Sequence, residues 1–208
     1  MVRGMARVEF FYDYSSPWTY LAFTRIEDLC RRCHAELTWR PILVGGIFNT
    51  VNPSVYESRE RPVPAKARYM LKDLQDWAGY YGLKLRFPPM VFPVNSVKAL
   101  RGAVVALEHG AVVEYSRQVF AAYFGDDQDI SRDEVLRPIV ERVGIDPAEY
   151  FDKINRQSTK DQIRANTDEC VRRGGFGSPT MFVGDSMFFG NDRLLLVEHE
   201  LEKGRGER

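Results

Sequence analysis

The chain is poor in the residues that announce most specialised chemistry. It has three cysteines and three histidines in 208 residues. A sparse, odd cysteine count excludes a disulfide-built scaffold and suits reduced thiols in a reducing compartment. His34, His109 and His199 have no metal-ligand spacing with one another or with acidic residues, so no metal centre is expected and all three read as surface or helix-end residues. A charge excess of either sign is also lacking: 29 Lys and Arg balance 29 Asp and Glu, and the pI is about 6.8. No basic field points to nucleic acid. No run of ~18 apolar residues could span a bilayer. The start runs into the first apolar segment without a signal-peptide core, which points away from export and toward the cytoplasm. Repeats and low-complexity tracts are missing too.

What is present is enough apolar material, 44% of residues, for one sizeable core. The run Val8-Glu9-Phe10-Phe11-Tyr12 reads as a buried strand, residues 18–29 as the helix after it, and residues 36–43 as a second strand parallel to the first through a right-handed crossover. Gly45-Gly46 breaks the pattern, and residues 49–64, polar and proline-containing, read as irregular. The period then becomes helical: Ala67, Met70, Leu74, Trp77 and Tyr81 recur in steps of three and four, as do Val97, Leu100, Val104 and Leu107. Further helices are expected over 112–124, 132–143, 147–154 and 160–173. Ser131 and Asp146 stand at capping-box spacing from Glu134 and Glu149, and Pro138 predicts a kink or early break. Strand signal returns at Thr180-Met181-Phe182-Val183, with a Gly184-Asp185 turn into Ser186-Met187-Phe188-Phe189, and a helix over 192–203 closes the chain. Strands at both ends and helices between predict an α/β sheet made by residues 1–45 and 174–208, interrupted by an all-helical insertion over 46–173.

The turn Asp13-Tyr14-Ser15-Ser16-Pro17-Trp18-Thr19 lies between the first strand and its helix, where free N–H groups and the helix dipole favour an anion. In thioredoxin-type proteins a Cys-x-x-Cys fills that turn, because the same field lowers a thiol pKa. Here Ser16-Pro17-Trp18-Thr19 replaces it. A serine cannot form a disulfide, but it can donate a hydrogen bond to a thiolate supplied from outside. Cys30-Arg31-Arg32-Cys33-His34 matches both the redox and the haem-attachment spacing, yet it falls at the end of the first helix, where the dipole raises a thiol pKa. Cys30 and Cys33 therefore read as structural thiols, and Cys170, on one helical face with Ile163 and Asn166, as a core thiol.

With Phe11-Tyr12-Asp13 and Ser16-Pro17 go Arg40-Pro41, Val63-Pro64-Ala65-Lys66-Ala67-Arg68-Tyr69-Met70, Asp73-Leu74, Phe92-Pro93-Val94-Asn95, Gly177-Ser178-Pro179-Thr180 and Phe189-Gly190-Asn191-Asp192-Arg193. In this order, across nearly the whole chain, they resemble the thioredoxin-like, DsbA-related family of 2-hydroxychromene-2-carboxylate isomerases and kappa-class glutathione transferases. The resemblance implies a thioredoxin-like sheet, glutathione as cofactor, and a homodimer. It assigns Ser16 to the thiol, Ser178-Pro179 to a cis-proline turn pairing with the cysteinyl backbone, and Asn191 and Asp192 to the γ-glutamyl end. Lys66, with Asn52 as a weaker partner, goes to the glycyl carboxylate. Each has a plainer reading: Ser16, Asn191 and Asp192 as helix caps, Pro179 as an ordinary turn proline, Lys66 as a solvated charge.

The pieces Trp77-Ala78-Gly79-Tyr80-Tyr81 and Phe92-Pro93-Val94-Asn95 look closer to the isomerases than to the transferases. An isomerase of this kind opens 2-hydroxychromene-2-carboxylate by thiolate addition, permits rotation about the former double bond, and releases trans-o-hydroxybenzylidenepyruvate with glutathione unchanged. A small aromatic carboxylate needs an apolar slot with few polar anchors. Trp18 and Trp77 are candidate walls, with Tyr20, Phe48, Tyr81, Phe87 and Phe92; Arg68 and Asn95 are candidate anchors. A kappa-like transferase and a noncatalytic thioredoxin-fold binding protein remain as alternatives.

Overall fold

The structure is a computed structural model and describes residues 5–206. Its sheet has the order β2-β1-β3-β4. Strands β1 (Arg7–Tyr12) and β2 (Glu36–Pro41) run parallel, joined through helix α1 (Pro17–Arg32). Strand β3 (Thr180–Val183) lies antiparallel on the other side of β1, with Phe10 opposite Met181, and β4 (Ser186–Phe189) completes a hairpin. Gly184, at φ 57°, supplies the left-handed conformation that the first position of this tight turn requires. A single 3₁₀ turn, Asn191–Arg193, then leads into α10 (Leu194–Gly206). The fold is thioredoxin-like, with the helical insertion between β2 and β3 that the sequence predicts.

The alternation of β1 explains its central place. Val8, Phe10 and Tyr12, all fully buried, point into the main core with Leu21, Phe23 and Ile26 of α1. Phe11 points the other way, to Ile42, Ile47, Cys170 and Phe182. Full burial of each such aromatic contributes about 1.5–3 kcal/mol. One face of the strand is therefore apolar throughout, while the other is apolar only at Phe11 and carries Glu9, paired with Arg40 and Arg173, nearer its start.

The insertion comprises α2 (Val44–Thr50), α3 (Ser54–Glu60), α4 (Pro64–Tyr81), α5 (Val97–Glu108), α6 (Val112–Phe120), α7 (Asp133–Arg142), α8 (Pro147–Lys153) and α9 (Gln157–Arg172). The irregular segment expected over 49–64 is largely helical instead, and Gly45-Gly46 lies inside α2 rather than before a loop. Tertiary contacts override propensity there: the Val44 N–H is held by the Asp13 carboxylate at 2.9 Å, and Ile47 is fully buried. The expected helix over 112–124 is α-helical only to Phe120, after which Ala121–Gly125 widens into a π turn. Pro138 does not end α7, because its missing N–H deprives only the Glu134 carbonyl while Leu136, Ile139 and Val140 are buried around it. The capping box at Ser131 does not form. Ser131 donates its N–H and hydroxyl to Asp129, and α7 begins after Arg132. The cap at Asp146 does form, accepting from the Ala148 N–H at 2.9 Å with Pro147 in the first turn. Among the described residues no helix is long and apolar enough to cross a membrane.

Candidate active site around Ser16

The Ser16 turn sits at the carboxyl end of β1, and Ser16 is the N-cap of α1. Its Oγ accepts from the Thr19 N–H at 3.2 Å and donates to the Ser178 carbonyl at 2.9 Å. The hydroxyl therefore caps the helix and gives its one proton to the Ser178 carbonyl. Ser178 belongs to a segment 162 residues away in sequence, and the Ser178–Pro179 bond is cis. Its own hydroxyl accepts from the Asp13 N–H at 2.9 Å and lies 2.7 Å from Thr19 Oγ1. Thr19, fully buried, thus pins the proline turn to the first turn of α1.

Asp13 ties the site together, and sequence reading passed over it. Its carboxylate is 1% exposed, and no cation pairs with it among the described residues. Oδ1 accepts from the Ser15 N–H at 2.9 Å and the Ser96 hydroxyl at 2.7 Å; Oδ2 accepts from the Val44 N–H. Burial raises its pKa despite these donors. The available signal was a lone acid following an apolar strand, directly before the turn. Thr19 could have been found at the place of the second cysteine of a redox motif.

Asn191 stands at the start of the 3₁₀ turn before α10. The neighbouring Gly190 N–H bonds the Pro179 carbonyl at 3.1 Å, which sets this turn beside the Ser178 segment. Asn191 is 2% exposed, yet neither its Oδ1 nor its Nδ2 has a partner of hydrogen-bond geometry. A buried amide without partners costs roughly 1–3 kcal/mol and is a natural place for a ligand's polar group. The Tyr81 hydroxyl is close enough to Asn191 to feel it: burial raises the Tyr81 pKa, while Asn191 and Arg25 oppose that rise. Arg25 lies over the Tyr81 ring at 4.3 Å and bonds its carbonyl at 2.8 Å. Asp192 is exposed and paired with Arg193 at 2.6 Å.

The two residues assigned to the opposite end are differently placed. Asn52 bonds the Phe176 carbonyl at 3.0 Å and accepts from Ser54 at 2.8 Å, so it holds the start of α3 against the segment leading to Ser178. Lys66 is exposed in the first turn of α4, and no carboxylate pairs with it among the described residues. It stands about 22 Å along the helix from Tyr81, a span that only a fully extended tripeptide and side chains reaching toward each other could bridge.

Of the substrate candidates, Trp18 is half-buried in the first turn of α1, and Trp77 is half-buried beside Tyr80 and Tyr81. Arg68 is exposed on α4. Asn95 is exposed, and its Oδ1 accepts from the Val97 N–H at 3.1 Å, a helix-start role. Tyr20 is a core ring, stacked on Phe120 and Phe124. Cys30, Cys33 and Cys170 are buried, and no disulfide joins them. Burial, more than the neighbouring Cys33 and Glu27, pushes the Cys30 thiol up to about 12, the direction expected at a helix end but with desolvation as the leading cause. Cys170 is pushed up to about 11, again by burial.

The fold has relatives among known proteins. A DSBA-like thioredoxin domain matches residues 7–202. The 2-hydroxychromene-2-carboxylate isomerase of Sphingobium xenophagum is 29% identical over 194 aligned residues, covering 93% of this chain and 97% of the relative. Human glutathione S-transferase kappa 1 is 30% identical over 219 aligned residues, covering 96% and 92%. A solved structure of a 2-hydroxychromene-2-carboxylate isomerase superposes with a TM-score of 0.80 at 26% identity, covering 95% of each chain. The chain belongs to the DsbA-like thioredoxin-domain family, in the company of 2-hydroxychromene-2-carboxylate isomerases and kappa-class glutathione transferases.

Proposed function

We propose that the protein is a glutathione-dependent isomerase acting on 2-hydroxychromene-2-carboxylate or a similar aromatic carboxylate. The observation that carries this is the meeting of Ser16 Oγ with the Ser178 carbonyl at 2.9 Å, at the N-terminus of α1. A hydroxyl donor, a helix end and the buried cis-proline turn meet at one point, which supports this reading.

The residues present fit glutathione. Asn191 offers an unsatisfied buried amide, Asp192 a carboxylate for the γ-glutamyl ammonium, the Ser178 segment an edge for its backbone, and Lys66 an ammonium for the glycyl carboxylate, while Asn52 holds the segment leading to Ser178. When bound, glutathione supplies a thiolate nucleophile that is recovered unchanged. The protein's part is electrostatic. Ser16 turns its O–H from the Ser178 carbonyl toward the sulfur, and the first-turn N–H groups of α1 add the dipole field. Asp13 and Thr19 hold that turn and the proline turn in register.

Alignment length favours an isomerase over a transferase. The match to the Sphingobium isomerase takes 194 positions for 93% of this chain, so it needs almost no insertions. The match to the human transferase takes 219 positions, more than the chain contains. Insertions of that size fall on the parts that shape a second-substrate pocket more readily than on a core. The test is turnover of hydroxychromene carboxylate with and without glutathione, with free thiol followed in parallel. Isomerisation leaves free thiol constant. Steady thiol consumption would make the protein a transferase, and absence of glutathione binding would leave a noncatalytic fold.

A further inference from the structure

Arg59, near the end of α3, is exposed and carries a guanidinium 5.7 Å from the Phe48 ring and 5.7 Å from the Phe92 ring. It accordingly bridges two aromatic side chains that come from α2 and from the loop before α5. Among the described residues no carboxylate or carbonyl accepts from it, although Glu57 and Glu60 share its helix. Surface arginines such as Arg31, Arg117 and Arg172 behave otherwise, each closing an ion pair with an acid three residues before it in its own helix. Arg59 is held where it is by its surroundings. Tyr56 packs edge-on to Phe48 and donates its hydroxyl to Asn49 at 2.7 Å, which docks α3 on α2, and Phe92 is braced by Phe87 at 4.9 Å.

Both aromatic walls hang from the carboxylate that braces the Ser16 turn. Phe48 lies one helical turn beyond Val44, whose N–H is on Asp13 Oδ2. Phe92 lies four residues before Ser96, whose hydroxyl shares Asp13 Oδ1 with the Ser15 N–H. Rings and turn are thereby tied to one carboxylate, each ring through a backbone segment of four residues.

We propose that Arg59 is the carboxylate anchor of an aromatic-acid slot walled by Phe48 and Phe92. A guanidinium presents its donors as a planar fork that matches a carboxylate, and its unpaired state leaves that fork open. A ring laid against either phenyl brings a carboxylate on that ring to Arg59. The substrate class rests on the reading above; the slot stands on the geometry. Neither Arg68 nor Asn95 has this combination of aromatic walls and open donors.

The probe is salicylate, an unreactive aromatic acid, titrated calorimetrically into wild type, Arg59→Gln and Arg59→Lys, with glutathione titrated separately. Wild type binds salicylate, Arg59→Gln binds it about 10- to 100-fold more weakly, and Arg59→Lys falls between, while glutathione affinity changes less than about 3-fold. In turnover the loss falls on KM for the aromatic acid and not on kcat. Unchanged salicylate affinity in Arg59→Gln, or no salicylate binding by wild type, overturns the slot. So does a selective loss of glutathione affinity, which would hand Arg59 to the glycyl carboxylate. Salicylate binding lost with Arg59 in a protein that isomerises nothing would keep the slot and refute the isomerase.

Discussion

A hydroxyl that caps a helix and is proposed to serve a thiolate can be tested by its effect on charge. Ser16→Ala removes one hydrogen bond to a thiolate, so turnover should fall about 10- to 1000-fold while glutathione affinity stays within a few-fold. The pH profile supplies the sign. Ser16 stabilises the deprotonated thiol, so its loss raises the bound thiol's pKa and moves the rising limb of kcat to higher pH. An unmoved limb with normal turnover would remove Ser16 from the chemistry. Asp13 gives an independent test. Because its folded pKa is raised by burial, the native state binds its proton more tightly than the unfolded chain does. Its contribution is then present below the ordinary carboxylate range and lost as pH rises through the folded pKa. The stability of wild type minus that of Asp13→Asn, from urea unfolding, should be larger in mild acid than at neutral pH; a flat difference would sink this account. Ser16 was legible in the sequence because its place is defined by neighbours in the chain. Asp13 was not, because its three donors come from Ser15, Val44 and Ser96, and only the fold brings the last two to it.

At the scale of elements, α5 depends on a residue with no side chain. A Cβ on Gly102 would lie 2.0 Å from the Tyr150 hydroxyl and 2.3 Å from that of Tyr115, two buried groups bonded to each other at 2.7 Å. Alanine there gains helix propensity of about 1 kcal/mol but must displace both rings. Overpacking and the loss of that bond should leave Gly102→Ala destabilised by about 1–3 kcal/mol in denaturant unfolding. A neutral or stabilised variant would mean that the tyrosine pair relaxes freely. The same contrast explains which helices were readable. The 3.6-residue period of α4 and α5 is intrinsic to their sequence. By contrast, α2 and α3 are short, glycine-bearing or almost unburied, and form because Asp13, Asn52 and Phe48 hold their ends and faces.

For the whole molecule, the apolar stripe of α4 outruns the core. Leu74 and Ala78 are buried, whereas Val63, Tyr69, Met70 and Leu71, in the preceding turns, are exposed. Continued apolar spacing without a covering element is the surface expected of a self-associating face. With formal charge zero, no long-range repulsion opposes it. The protein should therefore run as a homodimer in light scattering at micromolar concentration, and Met70→Glu with Leu71→Lys should shift it toward monomer. A wild-type monomer under those conditions would refute the assignment.

Sequence by itself determined what depends on local order: the alternation of β1, the β3–β4 hairpin about Gly184, the helical periods, and a serine where a redox cysteine would stand at a helix start. Those features follow from residues a few positions apart, whose geometry the backbone dictates. Tertiary structure alone decided the rest. It set Ser178 against Ser16 across 162 residues, left Asn191 buried without partners, gathered three segments on Asp13, and placed Arg59 between two rings from different elements. Chain closure over such distances costs entropy that no local pattern records, and the contacts that offset it exist only once the core has formed around them.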